Sequence, residues 1–199
     1  MVPDFPFLQP RDPGARVKQA MCHSHGLGAF LAILAALSIL SVPGAGAQPA
    51  GCIEQNFAAS LTARPAENLA VSGASYVPVY SSVSMNPGKL RADFSVTLGV
   101  HNASETRPLV LKRIAYFDTS GKMVESYLKS PVALKPFATV EVFIAANDVR
   151  GGTGANFVVD WAATGEIAEP TVEALMFGGV GAGHYAFISQ GRSIRIIKN

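Results

Sequence analysis

The chain has 199 residues, of which 49% are hydrophobic and 15% charged, and its formal net charge is +2. These values exclude an intrinsically disordered chain and a nucleic-acid-binding module with a large surplus of basic residues. The 19 glycines and 13 prolines favour turns and short strands over a bundle of helices. Composition therefore indicates a globular domain of short strands, and it indicates no biochemical activity.

An uncharged apolar run, Leu27 to Val42, lies in the first part of the chain. It is shorter than the roughly 20 residues that span a bilayer core. Basic residues precede the run, and the small residues Ala45-Gly46-Ala47 follow it. This order is typical of a secretory signal. We therefore predict that residues 1–47 form a leader cleaved between Ala47 and Gln48, with an uncleaved anchor as the alternative.

Two cysteines bear on the compartment and on membrane attachment. Cys22 lies inside the predicted leader, so cleavage leaves Cys52 without a partner for an intramolecular disulfide. Cys52 follows Pro49-Ala50-Gly51, a partial match to a bacterial lipoprotein cleavage site in which proline replaces the preferred leucine. A free thiol is the favoured interpretation, and lipidation at Cys52 is the alternative. Translation from Met21 instead of Met1 would remove the basic residues ahead of the apolar run, and the choice of start is left open.

Residues 73–199 are predicted to form the folded domain, after a linker over residues 48–72. The clearest strand is Arg91–His101, where apolar and polar residues alternate without a break, so that one face is buried and the other wet. The remaining strand-like runs are Tyr76–Val83, Leu109–Asp118, Lys122–Leu128, Ala138–Ile144, Phe157–Trp161, Val172–Phe177 and Tyr185–Ser189, the last with an extension over Ile194–Ile197.

Turn residues separate these runs. The sequence Asp118-Thr119-Ser120-Gly121 is typical of a hairpin in which Gly121 adopts a positive φ. Seven or eight short strands at this spacing predict an all-β domain, an immunoglobulin-like antiparallel β-sandwich with Trp161 packed between its sheets. The cysteine pair of antibody domains is absent, so the likeness to immunoglobulins is one of architecture.

Several segments of the domain also carry a family resemblance. They are Tyr76–Ser81, Tyr116–Lys122, Gly151–Phe157 with Trp161, Glu169–Ala174 and Ser189–Arg192. Taken in order, they resemble a bacterial envelope family catalogued as domain of unknown function 3124. The resemblance extends from about Ser75 to Arg195. It implies an envelope location, and it implies no activity because none is assigned to the family.

The segment Gly151-Gly152-Thr153-Gly154 is the candidate binding loop. Its ordinary role is a tight turn. Glycine-rich loops can also cradle an anion with their backbone amides, and a neighbouring arginine suits carboxylate or phosphate. Neither the lysine–serine pair of a P-loop nor the aspartate of a calcium-binding nonapeptide repeat is present. The candidate ligand-binding residues are Arg150, Gly151, Gly152, Gly154 and Asn156.

The histidines that follow the predicted leader are the candidates for catalysis or metal binding. The residue types of a blue-copper site are present in His101, His184, Cys52 and Met176, but the spacing that such sites use is missing. Ser189 and Ser193 lie near His184 in the sequence, without a Gly-x-Ser-x-Gly motif. We expect no metal, no cofactor and no catalytic residue. An enzyme that uses His184 and the nearby serines is the alternative, and a metal carrier is less favoured.

The sequence therefore predicts an exported, non-catalytic β-sandwich of the bacterial periplasm or cell envelope that acts as a binding or assembly module. Without the leader the charges nearly balance, which argues against capture of nucleic acid or anionic lipid. The expected partner is an envelope protein or a small ligand. Membrane contact is expected only through an uncleaved leader or a lipidated Cys52.

Overall fold

A computed structural model of the protein describes residues 52–86 and 90–198. Helix α1 covers Cys52–Asn56, and a 3₁₀ turn covers Ala58–Ser60. The strands are β1 (Leu61–Thr62), β2 (Val71–Pro78), β3 (Ser82–Asn86), β4 (Leu90–His101), β5 (Leu109–Phe117), β6 (Met123–Ser126), β7 (Val132–Leu134), β8 (Thr139–Ile144), β9 (Asn156–Ala163), β10 (Thr171–Val180), β11 (Gly183–Gln190) and β12 (Arg192–Lys198). None of the described helices is long and apolar enough to cross a membrane.

Two antiparallel sheets enclose the apolar core. The first sheet has the strand order β1-β7-β5-β9-β2-β12, and β6 also pairs with β5. The second sheet has the order β11-β10-β4-β3, and β8 also pairs with β4. The predicted all-β antiparallel sandwich is therefore confirmed.

The described residues form twelve strands, where seven or eight were predicted. Strands β1 and β7 have two and three residues, which is too short for an alternating pattern to show. Two predicted runs each divide into two strands because the chain changes sheets within them. The first sheet change separates β2 from β3 at residues 79–81, and the second separates β11 from β12 at Gly191.

Strand β4 shows why the alternating pattern predicted the core correctly. Its apolar residues point inward and are at most 4% exposed: Ala92, Phe94, Val96, Leu98 and Val100. The residues between them face solvent on the other side of the second sheet. Burial of each large apolar side chain contributes about 1.5–3 kcal/mol, so the alternation fixes which face of the strand is inside.

Trp161 packs between the sheets, as predicted, and is 1% exposed. Its partner across the β2–β9 pair is Gly73. A Cβ atom at Gly73 would lie 2.4 Å from Cζ2 of the indole. The glycine therefore makes the space that the largest core side chain occupies.

Residues 52–72, predicted as a linker, include α1, the 3₁₀ turn and β1. Ile53 in α1 is 1% exposed and belongs to the core, and Phe57 and Leu61 pack against that core. Strand β1 pairs with β7 at the edge of the first sheet. This stretch of chain therefore packs on the sandwich.

Candidate functional site

The glycine loop, residues 150–155, connects the region after β8 to the start of β9. One of its contacts is Thr119 in the turn between β5 and β6. The amide of Thr119 donates to the carbonyl of Gly151 at 3.0 Å, and the hydroxyl donates to the same carbonyl at 3.0 Å. The hydroxyl oxygen also accepts from the amide of Gly154 at 2.9 Å, and the amide of Gly152 donates to the carbonyl of Val149 at 3.1 Å. The amides of Gly152 and Gly154, which could otherwise bind an anion, therefore donate within the protein.

Packing and backbone conformation explain two of these glycines. A Cβ atom at Gly151 would lie 1.8 Å from the hydroxyl oxygen of Tyr116, a residue that is fully buried. Gly152 has a φ of 71°, in the left-handed region that residues with a side chain rarely adopt. The glycine loop closes over Tyr116 and requires glycine at both positions.

Arg150 lies beside the loop and is held by two carboxylates. Its Nε and Nη2 atoms each donate at 2.8 Å, one to each oxygen of Asp148. Oε2 of Glu125 lies 3.7 Å from Nη1. The side chain of Asp148 is only 1% exposed, and its hydrogen bond raises the pKa of the Arg150 guanidinium. Two acidic groups therefore balance the charge of Arg150.

Asn156 is the last of the predicted binding residues. It begins β9, where it lies opposite Pro78 of β2 and Phe117 of β5. The structure thus places the predicted residues at one end of the first sheet, and their ligand-binding role stays a prediction.

His184 and the nearby serines do not come together. His184 and Ser189 are five positions apart on β11, so their side chains lie on opposite faces of the strand. The His184 ring stacks on Phe177, with 6.3 Å between the ring centroids. Ser193 lies in the other sheet, opposite Ser75. The structure therefore assembles no histidine–serine pair from these residues.

The copper candidates are also separated. Nδ1 of His101 lies 2.8 Å from Oγ1 of Thr139, and Met176 is fully buried in the core. His101 lies opposite Thr171 on β10, whereas His184 lies opposite Gly179 on the same strand. At about 3.4 Å per residue, the two histidines are roughly 27 Å apart along β10. Over residues 52–86 and 90–198, no cluster of three or more His, Cys, Asp or Glu side chains could hold a metal.

The predicted cleavage site, Ala47 and Gln48, lies outside the described residues, and so does the side chain of Cys52.

A groove of about 510 Å³ lies where β11 passes into β12, and we call it the corner groove. Its lining comes from the end of β2 and from the β11–β12 connection: Tyr76, Pro78, Ile188, Ser189, Gln190, Gly191 and Arg192. Neither the alternating pattern nor the glycine, histidine and cysteine motifs of the sequence indicate this position.

Two features of the backbone open the corner groove. Gly191 alone joins β11 to β12, and its amide donates to the carbonyl of Val172 at 2.7 Å. A Cβ atom at Gly191 would lie 2.6 Å from that carbonyl oxygen, so only glycine lets the chain approach so closely. Strand β12 begins with Arg192 opposite Tyr76, and Pro78 further along β2 has no partner in β12. The edge of β2 is therefore open beside Tyr76.

Arg192 supplies the free charge of the corner groove. Its side chain is exposed, and within residues 52–86 and 90–198 its guanidinium makes no hydrogen bond or ion pair. Arg195, three positions later, instead donates to Asp160 at 3.0 Å, and Asp160 also pairs with Arg113 at 2.7 Å. A guanidinium suits carboxylate and phosphate, so Arg192 is the group in the groove that could fix an anion.

Apolar surface lies next to this charge. Tyr76 is 36% exposed and Ile188 is 59% exposed, and both line the groove with Pro78. The sequence contained one signal for this site, an arginine directly after a glycine that interrupts an apolar run. Tyr76–Ser81 and Ser189–Arg192, two of the segments that carry the family resemblance, meet here.

Comparison with known proteins assigns the chain to a family. The model of the family described as "Protein of unknown function (DUF3124)" matches residues 72–194, so the chain belongs to that family, as its motifs predicted. Among solved structures, the chain is similar to the protein in "Crystal Structure of Thermotoga maritima 1070", with 8% identity and a TM-score of 0.37 over 60% of this chain and 92% of that chain. No curated protein matches the chain.

Proposed function

We propose that this protein is an exported, non-catalytic binding module of the bacterial cell envelope and that the corner groove holds its ligand. The observation that carries the proposal is the guanidinium of Arg192. It is exposed in a groove of about 510 Å³, beside the ring of Tyr76, and has no partner within the described residues.

The chemistry of the groove defines the class of ligand. An exposed ion pair is worth at most about 1 kcal/mol, so Arg192 alone would hold a ligand weakly. Contact with Tyr76, Pro78 and Ile188 would add apolar burial at about 25 cal/mol per Å². The ligand we propose therefore combines a carboxylate or phosphate with an apolar body. Both a small molecule and the end of a protein chain have this chemistry.

Export and a binding role have separate support. The apolar run followed by Ala45-Gly46-Ala47 supports a cleaved leader. The separation of His184 from Ser189 and Ser193 removes the arrangement on which the enzymatic alternative depended. The corner groove is formed without a ligand and presents an exposed guanidinium, which supports a binding role.

The test compares octanoate with octanamide as probes, because the two share an apolar chain and differ in charge. Binding is measured by calorimetry on protein purified from the cell envelope, and the intact mass of the same sample reports whether cleavage occurred after Ala47. We expect octanoate to bind about fivefold more tightly than octanamide, which corresponds to the roughly 1 kcal/mol of an exposed ion pair. Octyl phosphate then compares phosphate with carboxylate.

Matched variants locate the site. Arg192→Gln should abolish the preference for octanoate, and Arg195→Gln should keep it because Arg195 is bonded to Asp160. Arg150→Gln tests whether the glycine loop, and not the corner groove, causes the preference for octanoate. Equal binding of octanoate and octanamide, or a preference that survives Arg192→Gln, would contradict the corner groove as the ligand site.

A further inference from the structure

Strand β11, Gly183–Gln190, is the outer strand of the second sheet. It pairs with β10 along its whole length, from Gly183 opposite Val180 to Gln190 opposite Glu173, without a bulge. Within the described residues no strand pairs with its other edge. The backbone N–H and C=O groups on that edge are therefore available to a further strand.

β11 lacks the features that usually protect an edge strand. Edge strands commonly carry charged side chains, proline or a bulge, which prevent pairing with another chain. β11 contains no Asp, Glu, Lys, Arg or Pro, and its side chains include Tyr185, Phe187 and Ile188, at 46%, 37% and 59% exposure. An unprotected edge strand of this kind tends to pair with a strand of another chain.

Three other edge strands of the sandwich, β12, β3 and β1, are protected. β12 carries Arg192, Arg195 and Lys198 and has a register shift between Ser193 and Arg195. β3 has a register shift between Ser84 and Asn86, and β1 is only two residues long. The contrast shows that β11 differs from these edges in charge and in regularity.

The apolar surface continues from β11 onto β10. Leu175 lies opposite Ile188, and Phe177 lies opposite Ala186, all on the outer face of the second sheet. Leu175 is 43% exposed and Phe177 is 55% exposed. A strand added to β11 would extend this apolar face.

We propose that β11 pairs antiparallel with β11 of a second copy of this chain, which joins two five-stranded sheets into one sheet of ten strands. Antiparallel pairing of identical strands satisfies a two-fold axis, since each residue contacts its counterpart reciprocally. The β11 edge shares Ile188, Ser189 and Gln190 with the lining of the corner groove, but the proposal does not depend on a ligand at Arg192.

Charge favours a second copy as the occupant. Pairing of β11 with itself opposes no like charges, because the strand contains no Asp, Glu, Lys or Arg. Pairing of β12 with itself would oppose three basic residues from each copy. The whole chain carries a formal net charge of only +2, so two copies repel one another little. A strand-edge contact is small, below about 1,200 Å² in total, and should give a reversible dimer.

Sedimentation equilibrium of the purified protein from about 1 μM to about 1 mM tests the proposal. We expect a monomer–dimer equilibrium for the wild-type protein. Ala186 is exposed on β11 and does not line the corner groove. Ala186→Lys and Ala186→Glu should each weaken dimerisation at least about tenfold by like-charge repulsion across the two-fold axis. An equimolar mixture of the two variants should restore the dimer, which also shows that both are folded.

Ile194→Lys is the matched control, because Ile194 is 58% exposed on the other edge strand. It should dimerise like the wild-type protein. A wild-type protein that stays monomeric throughout the range would overturn the proposal and leave the β11 edge to a strand of a different protein. Dimers that are unaffected by either charge at position 186, or that Ile194→Lys disrupts, would also overturn it. Octanoate binding by the monomeric variants separates this result from the test of the corner groove.

Discussion

Two arginines that neighbour glycine, Arg150 in the glycine loop and Arg192 at the corner groove, have opposite surroundings. Arg150 donates two hydrogen bonds to Asp148 and lies near Glu125. Arg192 has no such partner within the described residues. The sequence predicted the glycine loop beside Arg150 as the anion site, whereas in the structure Arg192 is the one of these two arginines that keeps an unbalanced charge. The comparison teaches that the location of the carboxylates, more than the glycine, distinguishes a structural arginine from one that can bind a ligand.

In the glycine loop beside Arg150, we expect Gly151→Ala to cause the largest loss of stability. The new Cβ atom would lie 1.8 Å from the hydroxyl of the buried Tyr116, so the loop or the ring must move. Overpacking of this kind costs about 3 kcal/mol when the surroundings cannot relax. Denaturant unfolding followed by circular dichroism measures the change.

Gly121→Ala is the matched control for that substitution. Gly121 has a φ of 83°, and nothing lies within 4 Å of its Cβ position, so its cost is backbone strain alone. We expect a loss of about 1 kcal/mol. Equal losses for the two variants would mean that Tyr116 does not hold the glycine loop in place.

The second prediction compares the arginines directly. Arg150→Gln removes the ion pair from Asp148, whose carboxylate is 1% exposed, and should lower the free energy of unfolding by about 2 kcal/mol. The cost is below that of a fully buried pair because Arg150 is 46% exposed. Arg192→Gln should change stability by no more than about 0.5 kcal/mol. Similar losses for both would remove the distinction between a structural and a free arginine.

Much of the fold could be predicted from local alternation. β4 carries a regular apolar–polar alternation, β8 repeats it except for the exposed Phe143, and their buried faces followed from those patterns. The hairpin at Asp118–Gly121 also followed from its residues, and Gly121 has the predicted positive φ. These features are determined by residues that are close together in the chain, so they can be predicted from the sequence.

The sheet changes and the corner groove depend on distant residues and could not be predicted. The run Tyr76–Val83 is continuous in sequence, yet the chain leaves the first sheet after Pro78. The corner groove needs Arg192 opposite Tyr76, a pairing 116 positions apart in the chain and fixed only by the β2–β12 register. The partner of Arg150, Asp148, lies only two positions away in the sequence, but its burial became visible only in the fold.

The third prediction concerns the buried Tyr127. Burial, followed by the Glu125 and Asp148 carboxylates near Arg150, raises the pKa of its hydroxyl. Tyr127 is 1% exposed, and its hydroxyl has no hydrogen-bond partner among the described residues. Removal of an unpartnered buried hydroxyl should raise stability, so we expect Tyr127→Phe to gain about 1 kcal/mol at neutral pH. A loss of stability would mean that this hydroxyl has a partner after all.

Tyr127→Phe should also change how stability depends on alkaline pH. Burial raises the pKa of the Tyr127 hydroxyl above its ordinary value of 10.0, and Glu125 and Asp148 raise it further. Above pH 10 the unfolded chain therefore loses a proton that the folded protein retains, and the free energy of unfolding falls as the pH rises. Thermal unfolding measured from about pH 8 to about pH 11, the range in which tyrosine side chains ionise, should show a smaller fall in stability for Tyr127→Phe than for the wild-type protein. Burial also raises the pKa of Tyr116, so part of the fall should remain. An identical slope for the wild-type protein and Tyr127→Phe would show that Tyr127 ionises as freely in the folded state as in the unfolded chain.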